Sequence, residues 1–292
     1  MKHLISLLLI TYFFLSACQT SQESEKISKI TSIDGLIALW DFSENPGEPR
    51  MARGVGEFPL REMKGPVERI AEGPLSGFSA SMKDSAYFSI PYTETGRLNI
   101  HGKNQGVTVL GWVNWEGKTG FVGGMWNEYT DGGKRQYGLF VHLPHYNGAE
   151  QVCGHISWTG KPTPPFPYSS DYSASKETLT KGSWHFVAFT YEGTEIRSYL
   201  DGKFEAREPE LIRNTAGFDG LPDGVIESKN PYYFPDGMGD NGSDFTVGAV
   251  VLSRGLGNFF EGKIGGLAVF DRALSGEEIL EIHQLTMTPR PY

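Results

Sequence analysis

The chain is poor in cysteine: Cys18 and Cys153 are the only two. With Cys18 placed at the end of the leading apolar stretch, no pair remains to brace a fold with an intrachain disulfide. A second membrane-length apolar run is also missing, since nothing after Leu4–Leu15 approaches the length of a spanning helix. Basic residues are in deficit, with 26 Lys and Arg against 35 Asp and Glu. A phosphate-binding surface needs the opposite balance, which argues against nucleic acid as a partner. Internal repeats and low-complexity tracts are absent as well, so neither a solenoid nor a compositionally disordered protein is indicated.

What is present begins at the N-terminus. Met1, Lys2 and His3 precede the apolar run Leu4–Leu15, which ends in Leu15-Ser16-Ala17-Cys18. The pattern is that of a secretion signal, too short for a finished membrane helix. A small residue before a cysteine at this point resembles a bacterial lipobox, which implies cleavage after residue 17 and acylation of Cys18. The stretch Gln19–Ser32 is polar and lacks large aromatics, as a solvated tether would. The expected organisation is a signal peptide over 1–17, a lipidated cysteine and flexible tether over 18–33, and one folded domain over 34–292. The resemblance places the protein on a bacterial cell envelope, and Gln19, in place of an aspartate that would hold it at the inner membrane, favours the outer membrane.

Turn formers and rings dominate the remainder, with 37 Gly, 17 Pro and 13% aromatic residues. Short β-rich runs recur at 36–41, 107–114, 121–126, 136–142, 152–158, 184–191, 195–201, 245–250 and 263–270. Helical patterns between them are missing, so the expected fold class is all-β, with two packed antiparallel sheets. One helix is predicted near the end, where Ser275 and Glu278 form a capping box ahead of Ile279, Leu280, Ile282 and Leu285. Three stretches, 43–86, 160–181 and 205–243, are long enough as loops to suggest function.

Three separated segments then carry a family resemblance. Leu36-Ile37-Ala38-Leu39-Trp40-Asp41-Phe42 resembles the opening strand of laminin-G-like jelly rolls from bacterial secreted proteins. Trp184 to Gly193, followed by Tyr199-Leu200-Asp201-Gly202-Lys203, is similar to their central hairpin. Phe260 to Ser275 is similar to their closing strand and its turn into a helix. Asp201-Gly202 is also a tight-turn pair on its own chemistry. The resemblance implies a two-sheet concanavalin A-like, laminin-G-like jelly-roll sandwich with one short C-terminal helix. The chain departs from the family at Gly265-Gly266, where an acid is common, so no carboxylate role carries over there. Fold alone does not fix function, because this architecture serves lectins, adhesion modules, hydrolases and lyases.

The region 112–172 is dense in rings, histidines and isolated charges. Trp115, Trp126, Tyr137, Trp158, Tyr168 and Tyr172 offer flat faces for stacking on sugars, against the competing reading that such rings fill the core. Asn127, Glu128, Arg135, Gln136, His155 and Asp171 supply hydrogen-bonding partners for hydroxyls. Trp126, beside Asn127-Glu128 at a strand end, is expected to be exposed. If the protein is an enzyme, Glu128, Arg135, His155 and Tyr172 are the candidate catalytic residues. His142, His145 and His155 match no familiar zinc spacing. The loop 218–244 carries Asp219, Asp223, Glu227, Asp236, Asp240 and Asp244, an oxygen-rich composition that suits calcium, with Asp236, Asp240 and Asp244 as the candidate ligands. Related jelly rolls often hold a structural calcium, which the resemblance extends to this chain.

The reading favoured by these residues is a cell-envelope lipoprotein whose jelly roll captures or presents a polysaccharide. Two alternatives stay open: a polysaccharide-degrading enzyme, a lyase ahead of a glycoside hydrolase, and an adhesion module that binds protein. Neither the paired-acid strand of jelly-roll glucanases nor the strand motifs of jelly-roll alginate lyases is present, which tilts the balance away from catalysis.

Overall fold

The computed structural model describes residues 22–128, 133–165, 171–213, 224–253 and 255–287. Two sheets dominate it, of ten and nine strands among the described residues. Every strand expected from the sequence is present. The first sheet runs in the order Lys203–Phe204, Glu195–Leu200, Trp184–Tyr191, Val107–Trp115, Gly262–Phe270, Leu36–Trp40 and Arg53–Gly54. The second runs Tyr172–Ala174, Gly148–Ile156, Lys134–Leu143, Gly120–Glu128, Phe245–Val247, Tyr87–Ile90 and Arg61–Met63. Pairing is antiparallel except where Val250–Leu252 lies parallel to the end of Gly120–Glu128. The long stretches predicted as loops contribute short strands, among them Ser79–Met82 and the edge strand Tyr172–Ala174.

Alternation along the strands makes three apolar layers. Between the sheets, Val109, Val113, Val187 and Phe189 of the first meet Val122, Met125, Leu139 and Val141 of the second. The outer face of the first sheet carries Leu39, Leu110, Trp112 and Phe186, covered by the helix Gly276–Met287 through Ile279 and Ile282. The predicted capping box is formed: the Ser275 amide donates to Glu278 Oε2 (2.8 Å) and the Glu278 amide to Ser275 Oγ (3.2 Å). The Trp112 indole donates to Thr286 Oγ1 of the same helix (2.8 Å). Gly265-Gly266 passes under this layer, and a Cβ on Gly266 would lie 2.6 Å from Trp112 Cε3. The close approach of tryptophan explains why no acid stands there.

One expectation is corrected. Residues 22–31, assigned to the flexible tether, form a helix that docks on the domain. Ile30 is fully buried beside Leu39, Trp112 and Ile282, and Ile27 and Ile33 pack against the same cluster. Lys26 Nζ donates to the Pro74 carbonyl (2.7 Å) and the Thr286 carbonyl (3.3 Å). The cause is the spacing of Ile27, Ile30 and Ile33, an apolar stripe at helical period inside an otherwise polar stretch. Among the described residues no helix is long and apolar enough to cross a membrane. Cys18 lies outside the described residues.

Candidate functional site

The third apolar layer sits on the outer face of the second sheet, and it builds the site. Phe121, Trp126, Phe140, Cys153 and Tyr172 form its floor, with Val250 and Leu252 beside them. One cross-strand row explains how. His155 pairs with Tyr172 on one side and Gly138 on the other, and Gly138 pairs with Gly124. Two glycines in succession leave the row bare, and the rings of neighbouring rows fold over it. A Cβ on Gly138 would sit 2.9 Å from Phe121 Cε2 and 3.0 Å from Phe140 Cε2. The register shifts between Met125 and Trp126, which makes Arg135 the cross-strand partner of Trp126. Trp126 and Glu128, two residues apart, then share the outer face, and the indole donates to Glu128 Oε1 (2.9 Å).

Above this floor opens a recess of about 220 Å³, lined by Glu128, Phe140, His155 and Tyr172 and rimmed by Thr119, Pro144, His145, Tyr146 and Asn258. Of Glu128, Arg135, His155 and Tyr172, expected together from the sequence, three line the recess, and Arg135 is buried behind Glu128 without lining it. Arg135 Nε stands 3.8 Å from Glu128 Oε1. His155 Nε2 is 3.1 Å from Asp171 Oδ1, and the ring packs on Trp126 with centroids 4.2 Å apart. Burial pushes the His155 imidazole below its ordinary range, and the Asp171 hydrogen bond only partly opposes this. The neutral ring therefore prevails at neutral pH. Burial likewise lowers Arg135, with Glu128 and Asp171 acting in the other direction. Asn127 Oδ1, Arg135 Nε and Asp171 Oδ2 are buried without a hydrogen-bond partner. Native interiors rarely leave such atoms unpaired, and these three belong to residues that flank the recess-lining Glu128 and His155 without lining the recess themselves.

Tyr172 borders the recess with a ring that is itself only 2% exposed, and its hydroxyl is 2.9 Å from the Leu143 carbonyl and 3.1 Å from that of Tyr146. From behind, Lys229 Nζ sits 3.5 Å from the Tyr172 ring centroid, and burial brings this ammonium down to about 7. Lys229 was not anticipated, and nothing local in the sequence marks it.

Three stacking expectations fail. Trp115, Trp126 and Tyr137 are fully buried. Trp115 donates to the Lys118 carbonyl (2.6 Å) and Tyr137 to that of Leu98 (2.7 Å), both within the inter-sheet core. Trp126 is covered by His155 and Phe140, with ring centroids 4.2 and 5.7 Å away, and flanked by the Val250–Leu252 strand, which pairs with Asn127 and Glu128. Trp158 alone of the expected tryptophans is exposed, at 39%, and it lies outside the recess. Tyr168, Asp219 and Asp223 lie outside the described residues. The histidines do not gather either: His142 Nδ1 accepts from the Glu150 amide (2.9 Å). Nor are Asp236, Asp240 and Asp244 brought together as calcium ligands. Asp240 accepts from Tyr92 and Asn99, Asp244 accepts from the Tyr92 amide, and no group of three metal-binding side chains forms among the described residues.

Residues 84–222 match the family model of the concanavalin A-like lectin/glucanases superfamily. No curated protein matches the chain. Among solved structures, domain 4 of AbnA, a GH43 extracellular arabinanase from Geobacillus stearothermophilus in complex with arabinotriose, is similar with a TM-score of 0.50 and 17% identity, over 85% of this chain and 98% of that one. A Trypanosoma rangeli sialidase in complex with sialic acid gives a TM-score of 0.50 and 14% identity, over 94% of this chain but 39% of that one. Sheet order and core give the domain the fold of a concanavalin A-like jelly roll, and the family model matches just under half of the chain.

Proposed function

We propose that this domain binds carbohydrate, seating a sugar in the recess on the outer face of the second sheet. The observation that carries the reading is the recess itself, with an apolar floor of Phe140 and Tyr172 and polar groups at Glu128 and His155. Sugar rings need that combination of flat apolar surface and a few fixed hydrogen-bonding partners. The charges suit a neutral ring, because Glu128 faces Arg135 and burial keeps His155 uncharged. The similar arabinanase domain, solved with arabinotriose, supports a glycan as the ligand class. We extend the proposal to a lipid anchor at Cys18 and a place on the bacterial envelope, on the strength of the Leu15-Ser16-Ala17-Cys18 sequence.

Affinity electrophoresis against a panel of neutral polysaccharides, arabinan included, tests the binding. Retention by the parent, weakened about tenfold or more in Glu128→Ala, supports the recess. No retention across the panel, or retention indifferent to Glu128, overturns it.

A catalytic reading has one observation in its favour. His155 is held by a buried carboxylate with its charge suppressed by burial, which is how a general base is oriented, and Glu128 shares the recess. Release of reducing ends or unsaturated uronates by the parent, and not by His155→Asn, would place the protein among enzymes. Retention without products leaves it a binding domain.

A further inference from the structure

A second surface lies apart from the recess, where Trp158 follows the end of the strand Gly148–Ile156. The Gly239 amide donates to the Ser157 carbonyl (3.1 Å), and the Gly102–Met238 bridge ties in the stretch before Lys103. A Cβ on Gly239 would fall 1.9 Å from the Trp158 carbonyl, so only glycine permits this approach. Two rings stay exposed along this stretch: Trp158 at 39%, whose backbone touches Gly239, and Tyr92 at 36%, whose hydroxyl reaches the next residue, Asp240. Asp240 Oδ1 accepts from the Tyr92 hydroxyl (2.9 Å) and from Asn99 Nδ2 (3.0 Å). Asn99 is itself oriented, since Gln136 Nε2 donates to its Oδ1 (2.8 Å). The Asn99 hydrogen bond, then that of Tyr92, holds the Asp240 carboxyl below the usual range. Lys103 Nζ stands 6.0 Å from the Trp158 ring centroid, and His101 is exposed nearby.

A lone exposed tryptophan needs no explanation. This one stands beside an ammonium, and the stretch that touches its backbone carries a carboxylate fixed by two hydrogen bonds, from Tyr92 and Asn99. We propose that this rim is a second glycan-binding surface, selective for anionic sugars. The apolar face of one ring stacks on the Trp158 indole, its carboxylate or sulfate pairs with Lys103, and its hydroxyls donate to Asp240. None of these residues lines the recess, so the rim goes beyond the recess proposal and does not depend on it. Lys103 adds attraction that salt weakens, whereas stacking on the indole persists.

Calorimetry on the full chain tests the assignment, using short uronate oligosaccharides, their methyl esters and sulfated oligosaccharides at low and high salt. The expected result is binding of at least one anionic series, weaker at high salt, with Trp158→Ala lowering affinity about tenfold or more. Lys103→Met should remove the preference for the free acid over its ester. Uronate and sulfate arms report which anion is taken. Trp158→Phe keeps a stacking ring and should retain most of the affinity, separating loss of the platform from loss of fold. The proposal is overturned if no anionic series binds, or if Trp158→Ala and Lys103→Met bind as the parent does. Glu128→Ala, read on neutral glycans, reports on the recess separately, so failure of one site is distinguishable from failure of the other.

Discussion

His155 shows how one residue ties the site to stability. Its ordinary value is 6.5, and burial places it lower in the folded protein. The unfolded chain therefore takes up more protons as the pH falls through the histidine range. Stability from this group is complete above about pH 6.5 and is lost on acidification towards the folded value. His142 and His283 are lowered by burial in the same direction. Thermal melts from pH 8 to pH 5 should show a falling Tm, and His155→Asn should flatten part of that slope. A Tm independent of pH across this range would contradict the burial argument. Trp126 shows where sequence reasoning fails at this scale. A tryptophan next to Asn127-Glu128 at a strand end reads as exposed, yet His155 and Phe140, distant in sequence, cover it. Chemistry is local and can be read; cover is long-range and cannot. Glu128, Arg135, His155 and Tyr172 were recognisable because their types are costly to keep among rings without a reason.

At the level of the element, the glycine row on the second sheet sets the depth of the recess floor. Gly138→Ala would push a methyl against Phe121 and Phe140, an overpacking that should cost about 1–3 kcal/mol. Urea denaturation measures it, and near-neutral behaviour would mean that the rings yield more easily than their packing suggests. The C-terminal helix offers a second test. Ser275→Ala removes the capping hydroxyl that receives the Glu278 amide and should cost about 1 kcal/mol. Capping box, Asp201-Gly202 turn and alternating strands were legible because each is encoded within a few residues. Asp201 and Gly202 both take positive φ (49° and 78°), as that turn requires. The N-terminal helix was missed for the opposite reason: Ile27, Ile30 and Ile33 have meaning only once Trp112 and Ile282 are there to receive them.

On the scale of the molecule, both helices share one outer face, and a chain lacking residues 22–31 should lose stability even though the sandwich remains. Removing Ile30 alone, as Ile30→Ala, should cost about 2–5 kcal/mol if its burial is as complete as the packing indicates. Circular dichroism melts would show it, and an unchanged Tm would return this segment to the role of a tether. The overall architecture was readable because three motifs, far apart in the chain, describe one sandwich in order. The recess was not, because it depends on which of two sheet faces each ring takes, and register shifts such as that between Met125 and Trp126 settle this beyond the reach of simple alternation.

The placement of the N-terminal helix also decides which way the protein faces. It covers the first sheet, whereas the recess opens from the second. With Cys18 acylated as proposed, the lipid would be attached shortly before the helix at 22–31, on the side of the first sheet. An anchor there would set the helical side nearer the bilayer and leave the recess on the side facing away from it. Attachment and capture, both as proposed, would then be back to back, and a glycan could be loaded on one side without disturbing the hold on the other.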